Sequence, residues 1–168
     1  HDLTPGLVSF EVEGQDRINV FRRQESVTHS EALAFRPFLL LGGEGWIKGW
    51  KGEFSVEPLR GDAPFSHLIS FPDLKRLEAA RSYLQKISGK SSSAPEAPYL
   101  YISDPVQQYL LLSGKTHFLG MTFGDLRRMQ LDIETYCQSG FEFPNAGREA
   151  DRITAIALSD STGWERLI

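Results

Sequence analysis

The sequence predicts an α+β protein in two parts: a mixed domain over residues 1–122, then the first antiparallel strands of a second domain over 123–168. Three observations predict it. Alternating runs of β-branched and aromatic residues, such as LVSFEVEG and RINVFRRQ, read as strands. Two stretches carry helical patterning between an Asp-based start and a glycine stop. From Arg127 onward, the strand-like runs RRMQLDIETYC and RITAIALSDS follow each other with no helical pattern between them, the order of an antiparallel meander.

Residues 7–23 read as a β-hairpin, with Gly14-Gln15-Asp16 supplying the turn. FRPFLLL (Phe35 to Leu41) reads as a third strand, in which Pro37 requires an edge position or a strand start. Gly42-Gly43-Glu44-Gly45 breaks the chain. The glycine-punctuated GWIKGWKGEFSVEP then reads as a short helix or loop leading into a strand around Glu53 to Glu57. SHLISF (Ser66 to Phe71) is the next strand. Pro72-Asp73 opens a helix to about Ser88, whose apolar face is Leu74, Leu77, Leu84 and Ile87; Lys75, Arg76, Glu78, Arg81 and Lys86 fall on the other faces. Gly89 stops it. Ser- and Pro-rich Lys90 to Pro98 is a surface loop, and Tyr99 to Ile102 a short strand. Asp104 and Pro105 cap and start a second helix, PVQQYLLLS, which Gly114 ends. After the Arg127 strand, the polar loop SGFEFPNAGREAD leads to RITAIALSDS, and WERLI reads as the start of a third strand. A three-stranded sheet with no helix on it is marginal, so the expectation is a chain that ends inside a domain. Its first residue, His1 rather than Met, likewise reads as that of a cut piece.

Composition excludes several classes. With 40% apolar and 11% aromatic residues in 168, the chain can bury a core, and disorder is disfavoured. No apolar run reaches the roughly 20 residues of a membrane-spanning helix, and no signal peptide pattern opens the chain. Cys137 is the only cysteine, which rules out a disulfide scaffold and Cys-rich zinc sites and fits a reducing cytoplasm. The net charge of −4 excludes a module that lives by phosphate contacts alone. A nucleic-acid role therefore has to come from a local patch, from metal ions or from parts of a longer protein.

The strand Arg127 to Cys137 carries the chemistry. Alternation puts Met129, Leu131 and Ile133 toward a core and Gln130, Asp132, Glu134 and Tyr136 on the other face. Asp132 and Glu134 are then neighbours on one face, about 6.6–6.8 Å apart along the strand. Two such carboxylates repel each other, and a hard cation such as Mg²⁺ or Mn²⁺ relieves that repulsion with oxygen ligands. Two metals about 3.5–4 Å apart can clamp a phosphodiester and generate the attacking hydroxide. Asp-x-Glu by itself is a common tripeptide and reads more simply as the solvent face of an antiparallel strand. The context distinguishes it: RMQLDIETYCQSGFEFPN followed by DRITAIALSDSTGWE resembles the first exonuclease motif of family B DNA polymerases. That motif is an apolar strand with Asp-Ile-Glu-Thr, a loop, a strand Arg-Ile-x-x-Ile-x-Leu-Ser-Asp, and a Trp-led third strand. The order of the hairpin, FRPFLLL, HLISFPDLKRLEAARSYLQK and YLYISDPVQQYLLLSGKTHFLGM upstream also resembles these polymerases.

The resemblance implies the N-terminal domain and the start of a ribonuclease H-like 3′→5′ exonuclease domain of a DNA-directed DNA polymerase. Asp132 and Glu134 would be catalytic metal ligands for Mg²⁺ or Mn²⁺, two metals in the complete protein. DNA (primer–template and a single-stranded 3′ end) and deoxynucleotides would be the partners, in a cytoplasmic, nucleoid-associated setting and with no membrane. Further acidic residues of that family's later motifs have no counterpart in the chain, so the 168 residues by themselves are expected to be inactive. The glycine-rich GGEGWIKGWKGE and the SSSAPEAP loop do not align with the family. Two alternatives stand beside this reading: a stand-alone 3′→5′ exonuclease of the same superfamily, and a non-catalytic nucleic-acid-binding module.

Other residues carry weaker signals. Trp46, Lys48, Trp50 and Lys51, with Phe54, interleave aromatic and basic groups that suit base stacking or a core equally. Gly42 to Gly45 with Lys48 lacks the spacing and the following helix of a phosphate loop. His1, His29, His67 and His117 have no metal-ligand spacing, and Cys137 has no partnering histidine nearby. In archaeal members of the family the N-terminal domain binds deaminated template bases, and Pro37-Phe38 falls where a Pro-aromatic pair lies in that pocket; one dipeptide does not carry that assignment.

Overall fold

The computed structural model describes residues 2–168, in two compact units, one up to Gly120 and one from Met121 to Ile168. The architecture is mixed α+β, and its strand pairs are antiparallel.

The first unit holds two sheets and two helices. Strands β1 (Leu7–Glu13), β2 (Arg17–Gln24) and β3 (Val27–Ala34) form one sheet in that order. The first hairpin turns through Gly14 at φ 70°, a left-handed conformation that glycine adopts without strain. Strand β3 has no counterpart in the sequence reading. Its residues VTHSEALA are largely exposed, so no apolar alternation marks it. Its turn, Glu25-Ser26, has φ 47° and 72° at both central residues, the mirror-image hairpin geometry normally signalled by Asn-Gly.

The second sheet runs β5 (Ser55–Pro58), β6 (His67–Ser70), β4 (Phe38–Leu41), β7 (Tyr99–Leu100). Strand β4 is central, paired on both sides, so Pro37 marks a strand start and not an edge. Helix α1 (Leu74–Ser88) begins at Asp73, whose side chain accepts from the Arg76 N–H at 2.7 Å, and ends at left-handed Gly89. Leu77, Ala80 and Leu84 of α1 are buried with Leu39, Leu41, Ile69, Phe71 and Tyr99 of this sheet region. Ile87 is not on that face: it is 43% exposed, whereas the small Ala80 is fully buried. Helix α2 (Pro105–Ser113), capped by Asp104 and Gly114, packs Tyr109 with Leu7, Phe10, Ile18, Val20 and Phe35 under the first sheet. Its buried Gln108 joins the two parts. The side-chain oxygen accepts from the Phe38 N–H at 2.7 Å and the amide donates to the Ile102 carbonyl at 2.6 Å.

The second unit is a meander, β8 (Met129–Tyr136), β9 (Arg152–Asp160) and β10 (Glu165–Leu167), in the order β10-β9-β8. Side chains organise both connections. Asp151 accepts from the Gln138 N–H (2.8 Å), the Asn145 N–H (2.7 Å) and Arg148 Nε (2.8 Å). Asp160 accepts from the Thr162 N–H (2.8 Å) and hydroxyl (2.6 Å) and from the Trp164 N–H (3.1 Å). These donors hold both carboxyls below the usual carboxylate range. Met129, Leu131 and Ile133 are 63%, 58% and 45% exposed, where the sequence reading turns them toward a core. The alternation is as read, but these three side chains stay exposed.

Candidate metal-binding carboxylates

Strand β8 sits at one edge of the meander and positions the acidic pair. Cross-strand register gives the face its composition. Asp132 stands opposite Ala157 and Glu134 opposite Ala155, while Gln130 faces Ser159 and takes a 2.7 Å hydrogen bond from it. Directly opposed residues of an antiparallel pair point to the same side, so the two carboxylates look out over methyl groups. All of β8 is exposed, and among the described residues neither carboxylate has a hydrogen bond or ion pair. An open depression of about 420 Å³ lies against this sheet, lined by Gln130, Asp132, Ala157, Ser159 and Glu165 among others; Glu134 stands outside it. The donor set fits a hard divalent cation: two unpaired oxygen-bearing groups two residues apart on one strand, with no lysine or arginine neutralising them. No third ligand completes the set, since no cluster of three or more His, Cys, Asp or Glu suited to a metal occurs among the described residues.

The aromatic–basic stretch divides. Trp46 is 38% exposed, Lys48 is exposed beside Glu44 at 3.8 Å, and Lys51 is exposed. Trp50 and Phe54 instead pack against the core of the first unit, with the Trp50 ring 5.7 Å from that of Tyr83. Pro37 and Phe38 are both buried, so neither presents a wall to a base. His67 lies in β6 with its ring nitrogen 2.8 Å from the Ser66 hydroxyl, and the His117 ring packs edge-on against Phe10. His1 lies outside the described residues. The Cys137 thiol contacts the Phe141 carbonyl and Arg148, not a histidine. Residues Glu44–Trp46 form one 3-10 turn, and no α-helix follows the glycines.

No protein-family model matches the chain, and no curated protein matches it. No described helix is long and apolar enough to cross a membrane.

Proposed function

We propose that the chain is the N-terminal part of a family B DNA polymerase, and that Met121–Ile168 begins its ribonuclease H-like 3′→5′ exonuclease domain. The observation that carries the reading is the unpaired Asp132 and Glu134 on one face of β8, opposite two alanines. It is supported by the elements that follow Asp-Ile-Glu-Thr: a loop, the strand Arg152–Asp160 and a third strand just after Trp164 succeed β8 along the chain, as in that motif. Asp132 and Glu134 would hold Mg²⁺ or Mn²⁺. When bound there, a divalent cation supplies charge neutralisation for a phosphodiester and acidity for its water. The chain's own contribution is positional. The rigid strand fixes both carboxylates on one side, and Ala155 and Ala157 leave the space above them open to a substrate. Deoxynucleotide addition would belong to a separate carboxylate cluster outside these 168 residues.

The test is a paired assay on one preparation of the polymerase that carries this chain: primer extension with nucleotides, and primer shortening without them. Asp132→Ala with Glu134→Ala is expected to abolish shortening and leave extension largely intact. Neither side chain packs in a core, so the fold survives their removal. Shortening at the wild-type rate would reduce the pair to a solvated strand face. Binding of DNA with no shortening in either protein would favour a non-catalytic module.

A further inference from the structure

A single strand of nucleic acid lying along this face meets an electrostatic problem. Asp132, Glu134 and, by register through Ser159, Glu165 share the face, and all three repel phosphates. One end of the face answers it. Tyr136 pairs across the strands with Arg152, whose guanidinium lies 5.4 Å from the centre of the Tyr136 ring. Both are exposed, and neither makes a hydrogen bond or ion pair among the described residues. Arg148, by contrast, is tied to Asp151 at 2.6 Å, and Arg166 pairs with Leu158 on the opposite face.

A backbone irregularity puts Arg152 there. Pairing runs Glu134 with Ala155 but Thr135 with Ile153, so Thr154 is an extra residue on β9. Strict alternation from Ala155 and Ala157 would send Arg152 to the apolar side. The bulge resets the phase and returns Arg152 to the carboxylate face, beside Tyr136.

We propose that Tyr136 and Arg152 are substrate-binding residues for the 3′ end of single-stranded DNA: the Tyr136 ring stacks a base, and the Arg152 guanidinium pairs with a phosphate whose sugar-phosphate strand leads to Asp132 and Glu134. This rests on the exonuclease reading of the carboxylates. An aromatic ring with an adjacent cation is the combination that holds single strands without sequence preference, and a guanidinium presents a planar fork to phosphate oxygens.

The experiment titrates the 168-residue protein into a fluorescent oligothymidylate with Ca²⁺ present, reads anisotropy at several salt concentrations, and measures Mn²⁺ binding in parallel. Tyr136→Ala is expected to weaken binding about 5- to 150-fold, while Tyr136→Phe keeps it. Arg152→Ala weakens it and lowers the salt slope by about 0.7; Arg152→Lys retains the slope. Tyr136→Leu, which keeps apolar bulk, is expected to behave as Tyr136→Ala, and an unchanged amide NMR spectrum confirms that each variant is folded. Variants at Tyr136 and Arg152 that bind the oligonucleotide like wild type overturn the proposal, as does a wild-type chain with no saturable binding. Mn²⁺ binding separates this from the carboxylate reading: that reading fails if wild type binds no Mn²⁺, whereas the Tyr136 and Arg152 variants leave Mn²⁺ binding unchanged in either case.

Discussion

Glu78 on α1 shows how one side chain couples the helix to the chain beyond the sheet. Its carboxylate accepts from the Tyr101 hydroxyl and from Arg81 Nε at 2.8 Å, and the Arg81 guanidinium lies 5.3 Å from the Tyr101 ring centre. Burial pushes Glu78 up, but the bonds from Tyr101 and Arg81 outweigh it and hold it below the ordinary glutamate range. Burial first, and then Glu78, push the Tyr101 hydroxyl up to about 12. The two shifts act at opposite ends of the pH scale. A depressed Glu78 contributes stability above the ordinary glutamate range that is lost as pH falls through its folded value. A raised Tyr101 contributes fully below about pH 10, and that contribution is lost as pH rises toward its folded value. Urea unfolding across pH is therefore expected to show a shallower loss on acidification for Glu78→Gln than for wild type, and a shallower loss at the alkaline end for Tyr101→Phe. Parallel curves for variants and wild type would show that the cluster contributes nothing.

Helix α1 was legible in the sequence because caps and periodicity agree: Asp73 and Gly89 bound it as read. Its buried face was legible only in part. Leu77, at 1% exposure, is expected to cost about 2–5 kcal/mol on replacement by Ala. Ile87→Ala is expected to stay within about 0.5 kcal/mol, because an exposed position loses little on truncation. Equal losses at the two sites in urea titrations would place the helix face wrongly. Ile87 misleads because four apolar residues at helical spacing do not say where the sheet beneath the helix ends. Strand β3 was illegible for another reason: its polar residues pair through backbone bonds, and Glu25-Ser26 turns the chain without Gly or Asn. The pair Asp132 and Glu134 was readable from β8 alone, since alternation within one strand fixes it. Arg152 was not, because its side depends on an extra residue in a partner strand and on a register that no single strand encodes.

At the scale of the whole molecule, the core is unevenly shared. The two clusters of buried apolar residues lie at or before Tyr109, and no residue of the second unit is buried. The first unit thus holds the fully buried apolar residues among those described, whereas the second presents a sheet with one acidic face and an apolar face on which Met129, Leu131 and Ile133 are exposed. The acidic face holds the central claim, that Asp132 and Glu134 form a divalent-cation site. The most direct measurement is Mn²⁺-induced broadening of amide NMR signals in the 168-residue protein, wild type against Asp132→Asn with Glu134→Gln. The account predicts selective broadening at residues 131–135 and at their β9 partners 155–157, abolished in the double variant and reversed by chelator. Broadening centred on other acidic residues, or the same broadening in both proteins, would contradict it.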